Sequence, residues 1–123
     1  MELEKRGGQA PILTGDQGCL VLYPYEDWVD FESKILGASS TNPRARKYAR
    51  LKISTATEAP IDGQGRILVP PFLRERAALE KDVMIAGVGN WIELWDKTRF
   101  ENELSDAQEN FDEYASTMSD LGT

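Results

Sequence analysis

The sequence has no histidine and a single cysteine. Without histidine, the side chain that most often serves as general base and metal ligand is missing. Cys19 has no partner in the chain for a disulfide, which fits a reducing compartment. It sits in the apolar run Cys19-Leu20-Val21-Leu22-Tyr23-Pro24 with nothing nearby in sequence to activate it, so it reads as a small buried hydrophobe. No apolar run approaches the roughly 18 residues of a membrane span. The opening MELEKRGGQA lacks the apolar core of a signal peptide. These shortages argue against nucleophilic catalysis and zinc chemistry. They lead us to expect a cytoplasmic protein with no metal, no cofactor, no membrane association and no small-molecule substrate.

What is present is a chain of 123 residues, 41% apolar and 28% charged, enough for one compact domain with a core. Its net charge of −7 is unevenly spread: −4 over residues 1–40, +5 over residues 41–81 and −8 over residues 82–123. A basic middle between acidic ends can hold a polyanion locally, or it can simply solvate helix surfaces.

Ala10 to Thr14 and Cys19 to Pro24 read as two strands around the turn Gly15-Asp16-Gln17-Gly18. Pro24 then opens a helix carrying Trp28, Phe31, Ile35 and Leu36 at helical spacing, with Gly37 expected to stop it. Asn42-Pro43 is an N-cap followed by proline in the first turn, and it predicts a helix to about Lys52. That helix sets Arg46, Lys47 and Arg50 on one side. Ser54 to Ala59 is threonine-rich and predicted extended. Asp82 to Gly87 and Trp91 to Trp95 form a second hairpin. Asp96 is placed to cap a last helix through Phe100 and Leu104, and the acidic tail beyond is expected to fray.

Two stretches agree at an offset of 72 residues. Ile12-Leu13-Thr14-Gly15 lies over Met84-Ile85-Ala86-Gly87, and Leu20, Leu22, Tyr23 and Trp28 lie over Ile92, Leu94, Trp95 and Phe100. Strand, turn, strand, aromatic and helix start recur in register, which predicts a duplicated unit.

Between these halves lies the most distinctive stretch, Asp62-Gly63-Gln64-Gly65-Arg66 followed by Ile67-Leu68-Val69-Pro70-Pro71. Gly63 and Gly65 permit positive φ, so the backbone can reverse tightly and bring the Asp62 carboxylate to the Arg66 guanidinium. Ile67 and Val69 are expected to face the core from a short strand, with Leu68 outward, before a helix from Phe72 to Leu79. The pair is either a turn-stabilising ion contact or a means of holding a guanidinium ready for a partner. The glycines lack the Lys-Ser/Thr pair of a P-loop.

From Ile61-Asp62 through GQGR, ILVPP and WIELWD, the sequence resembles the second repeat of the MraZ family, bacterial transcriptional regulators of the AbrB-like superfamily. GCLVLYP with the following Glu26-Asp27-Trp28 and the Asn42-Pro43 helix resembles the end of that family's first repeat and its linker. The resemblance implies an α+β, β-rich fold: a swapped-hairpin, double-split AbrB-like barrel with short helices and two pseudo-repeats. Residues 1–53 would be an incomplete first repeat and linker helix, 54–104 the second repeat and 105–123 an acidic tail. It further implies a ring-forming homo-oligomer, nucleoid-associated, that binds repeated promoter elements in double-stranded DNA and represses the division and cell-wall gene cluster. The family's DNA-contacting signature falls on Asp62 and Arg66, with Gly63 and Gly65 shaping the turn. Arg46, Lys47, Arg50 and Arg74 are the candidate phosphate contacts. The first copy of the signature would fall at position −10, before Met1, so a second chain is expected to supply the missing hairpin and to cover Ile67 and Val69. An antitoxin-like protein of the same superfamily, or an assembly module that binds no DNA, are the competing expectations.

Overall fold

The computed structural model of this protein describes residues 9–122. Its centre is a five-stranded antiparallel sheet in the order β3-β1-β2-β5-β4. Strands β1 (Ile12–Gly15) and β2 (Leu20–Tyr23) form one hairpin, and β4 (Val83–Val88) and β5 (Trp91–Asp96) form another. The two-residue β3 (Thr57–Glu58) pairs with β1 and is one edge of the sheet; β4 is the other. The expected extended stretch from Ser54 is thus shorter than its threonine content suggests, because the preceding helix runs on to Ser54.

Successive residues of a strand point to opposite faces, and both faces of this sheet are covered. On one face Leu13, Leu20, Leu22 and Leu94 meet Leu73, Ala77 and Leu79, with Ile61, Ile67, Val69 and Ile92 packed at the margin. On the other, Ile12, Cys19, Val21, Tyr23 and Trp28 form an aromatic-rich cluster, flanked by Phe31, Ile53, Trp91 and Trp95. Cys19 is buried there, and burial pushes its thiol up to about 12, with the charges of Glu93 and Asp16 adding to the shift. A thiol so held is inert at neutral pH, in keeping with its reading as a hydrophobe.

Helix α1 (Tyr25–Ser39) lies on the aromatic face, burying Trp28 and Ile35. It runs through Gly37, contrary to the expected stop. A glycine inside a helix costs only about 1 kcal/mol, and the residues after it keep helical backbone as far as Ser40. Helix α2 (Pro43–Ser54) starts as predicted: the Asn42 side chain accepts hydrogen bonds from the amides of Arg44 and Ala45. Its far end is stitched to β1. The Thr14 hydroxyl donates to the Lys52 carbonyl at 2.6 Å, and the Gly15 amide donates to the Thr55 hydroxyl at 3.0 Å.

The segment after Arg66 corrects a second expectation. Residues 67–70 form no strand, because no neighbouring strand offers them a ladder. Ile67 and Val69 are nevertheless half-buried against the leucine core, not bare as expected for a missing hairpin, while Leu68 is 82% exposed. Helix α3 (Pro71–Arg76) starts one residue earlier and ends three residues earlier than predicted. It ends as Ala78 takes positive φ and the Leu79 amide donates back to the Arg74 carbonyl.

After β5, the Asp96 carboxylate accepts from the Arg99 amide and starts α4 (Lys97–Glu109) as expected. The tail does not fray. Asn110 interrupts the helix, its side chain bonding back to Asp106, and α5 (Phe111–Asp120) follows. The Tyr114 hydroxyl donates to the Asp106 carboxylate at 2.7 Å across the break.

Candidate nucleic-acid interface

The turn at residues 62–66 is built around one carboxylate. Asp62 Oδ1 accepts from the amides of Gln64 and Arg66, both at 2.9 Å, and Oδ2 accepts from Arg66 Nε at 2.9 Å. The backbone closes beneath them: the Asp62 amide donates to the Arg66 carbonyl, and the Gly65 amide to the Asp62 carbonyl. Gly65 takes φ +79°, which its lack of a side chain permits; Gly63, expected to share this role, stays outside the left-handed region. The amide of Arg66 first, then that of Gln64, and after them the Arg66 side chain, hold the Asp62 carboxyl below its ordinary range.

Both side chains are largely exposed, so the ion pair adds little to stability. What it fixes is direction. Asp62 engages Arg66 through Nε alone, and among the described residues no hydrogen bond takes up the two terminal amino groups of the guanidinium. The outer fork of Arg66 is therefore free to donate two parallel hydrogen bonds to a planar acceptor pair.

The remaining candidates sit on two helices. Arg46, Lys47 and Arg50 are exposed on α2, joined by Arg44, and Arg74 is exposed on α3, just beyond the double proline that follows Arg66. The structure brings Asp62 and Arg66 into direct contact; among the described residues no ion pair joins Arg46, Lys47, Arg50 or Arg74 to this turn. The first turn of α2 has no acidic residue and carries Arg44 and Arg46 instead, against the preference of the helix dipole for negative charge at that end.

Of the nine basic residues of the middle segment, one is committed elsewhere and a second runs along the sheet. Lys52 is fully buried, its ammonium 2.7 Å from Asp16 Oδ2 and 3.3 Å from the Tyr23 hydroxyl. Arg76 lies along Gly15, so close that a Cβ there would meet its side chain at 3.2 Å. Nothing in the sequence near Lys52 marks it as buried; only the fold carries Asp16 to it. Among the described residues no group of acidic and cysteine side chains is arranged to hold a metal ion, and no helix is long and apolar enough to cross a membrane.

A small antiparallel sheet flanked by short helices, with an exposed arginine held by a carboxylate and a cationic helix, defines an α+β protein. The comparisons with known proteins agree with that class. A family model described as "MraZ protein, putative antitoxin-like" matches residues 53–121. A protein of Halothermothrix orenii named transcriptional regulator MraZ is 43% identical over 94% of this chain and 81% of its own length. Proteins of the same name from Heliobacterium modesticaldum and Ligilactobacillus salivarius are 42% and 40% identical over 93% and 96% of this chain, covering 80% and 82% of theirs. This chain belongs to the MraZ family.

Proposed function

We propose that this chain is a sequence-specific DNA-binding transcriptional regulator, acting as a repressor at repeated promoter elements of the division and cell-wall gene cluster. The observation that carries the reading is the Arg66 side chain, held through Nε by Asp62 with its outer fork open. A guanine presents O6 and N7 side by side in the major groove, and an arginine fork matches that pair. Arg46, Lys47, Arg50 and Arg74 hold phosphates, which sets affinity and register without reading sequence. The relatives' shared name, transcriptional regulator, supports the same reading.

The protein works as a homo-oligomer on the nucleoid, presenting several Arg66 turns to spaced repeats, so that weak single contacts add. The β4 edge supports this: Ile85 is 69% exposed on a strand with one side unpaired. A second copy pairing there completes the swapped-hairpin barrel, with residues 1–53 and 54–104 as the two repeats and 105–123 as a tail. Ile85→Lys is expected to shift the sedimentation profile toward monomer at micromolar protein while the far-ultraviolet spectrum is kept; an unchanged profile would remove β4 from the interface.

Titration on promoter and random DNA tests the base-reading role. Arg66→Ala is expected to lose about 1–3 kcal/mol on the promoter site and little on random sequence. Arg50→Ala is expected to weaken both alike and to flatten the salt dependence. Equal losses for Arg66→Ala on the two DNAs would defeat the reading, and no binding to either would leave an assembly module. A second reading, an antitoxin-like protein, is favoured by the acidic α4–α5 arm, on which Leu104, Phe111 and Tyr114 are exposed and available to a partner protein.

A further inference from the structure

A cleft of about 570 Å³ opens beside the aromatic face of the sheet, between α1, α2 and the β4–β5 turn. None of its lining residues belongs to the 62–66 turn, and the proposed DNA contacts do not use it. Its volume falls in the range of small-molecule sites.

Aromatic rings form its walls. Tyr23 lies tilted against Phe31 and Trp91, ring centres 5.5 and 6.2 Å apart, and Phe31 meets Tyr48 edge-on at 6.5 Å. The lining carries the carboxylates of Asp16, Asp27, Asp30 and Glu93; the Lys34 ammonium pairs with Asp30 at 3.2 Å and that of Lys52, beneath, with Asp16 at 2.7 Å. Negative charge is therefore in excess. The Glu93 carboxylate accepts from the neutral indole N–H groups of Trp91 and Trp95, at 3.2 and 2.9 Å, which are not cations. The Tyr23 hydroxyl feels the same field: burial, then Asp16, then Glu93, pushes it up to about 12.

The chain already shows what these walls accept. The Lys52 ammonium lies 5.2 Å from the centre of the Tyr23 ring and 6.0 Å from that of Phe31. Ring faces attract cations, and more strongly where water is partly excluded. Dispersed carboxylates around an aromatic trough do not make a metal site, which needs convergent ligands; they suit a cation whose charge is carried on an extended apolar stem.

We propose that this cleft binds an aliphatic ammonium cation of the diamine or polyamine class, its methylenes against Tyr23, Phe31 and Trp91, one ammonium toward Glu93 and the other displacing the exposed Lys34 ammonium from Asp30. Calorimetry on the DNA-free protein with butane-1,4-diamine tests this, with butane-1,4-diol as the uncharged analogue at matched ionic strength. Saturable binding of one diamine per chain is expected, with a shift of the Trp91 indole N–H resonance and no binding of the diol. Asp30 and Tyr48 are surface-exposed, so Asp30→Asn and Tyr48→Ala are expected to fold; each should weaken the diamine about two- to five-fold, the scale of one exposed charge or ring contact. Glu113→Gln, a carboxylate of α5 remote in sequence from the lining, should leave binding unchanged. Lack of saturation, equal binding of the diol, or an Asp30→Asn/Tyr48→Ala double variant that binds like the parent would overturn the proposal. Because no DNA is present, a failed promoter titration does not affect the outcome.

Discussion

The two hairpins of the sheet match in register and are opposites in environment. β1 pairs with β2 as Leu13 opposite Leu22 and Thr14 opposite Val21; β4 pairs with β5 as Ile85 opposite Leu94 and Ala86 opposite Glu93, each partner 72 residues on. The helices that follow keep the offset: α1 begins at Tyr25 and α4 at Lys97. So do the rings, with Tyr23 against Trp28 at 5.6 Å and Trp95 against Phe100 at 6.0 Å. Yet every residue of β1 and β2 is buried, whereas β4 has none buried and α4 has none either. Sequence similarity between the copies sets strand, turn and helix start. What lies over them sets burial, and only the first copy has α2 laid against its helix.

Matched substitutions can break this comparison. Trp28 is 4% exposed and its counterpart Phe100 only half-buried. Trp28→Ala is expected to cost about 3–5 kcal/mol and Phe100→Ala about 1 kcal/mol, read as denaturant midpoints at constant slope. Equal losses would mean that α4 is covered in solution. At the equivalent strand positions, Leu13→Ala should cost about 2–4 kcal/mol and Ile85→Ala under about 0.5 kcal/mol at low protein concentration. A large Ile85→Ala effect that fades on dilution would place a second chain on β4.

The smallest effect sharpens the contrast at the turn. The Asp62 carboxyl is lowered in the folded protein, so its contribution is present above the unfolded carboxylate value and lost as pH falls through the folded one. Amide resonances of Gln64 and Arg66 should therefore titrate together below the range of ordinary carboxylates. Asp62→Asn should abolish that step with little change in thermal unfolding. Resonances that titrate at the ordinary value would mean the carboxylate is not held as described.

Much of this was legible because it is local. Alternation, turn residues and the 72-residue offset locate both hairpins, and Asn42 and Asp96 announce their helices from one side chain each. The Asp62–Arg66 contact follows from a spacing of four residues around glycine. Long-range facts were not legible. Lys52 reads as one more surface cation until the fold brings Asp16, 36 residues earlier in sequence, to its ammonium. Ile67 to Val69 has strand composition but no neighbour, and pairing is a property of two segments. Helix α5 was missed because Asp106, Asn110 and Tyr114 act together across a break that looks like the start of a ragged end.

The junction between β2 and β5 has a consequence for what a single chain can place at a symmetric position. Leu20 faces Leu94, Leu22 faces Ile92, and between them Val21 faces Glu93, which is its own counterpart in the other copy. The two hairpins are thus joined about a local two-fold axis that passes through one pair of equivalent positions. If each repeat were a separate, identical molecule, that position would have to meet itself. Two glutamates there would repel, since like charges directly opposite are destabilising, and two valines would leave the indoles of Trp91 and Trp95 without their acceptor. Because both hairpins lie in one chain, the axis is free of self-complementarity. One side can become greasy and the other charged, and the central pair of the sheet is the place where that freedom has been used.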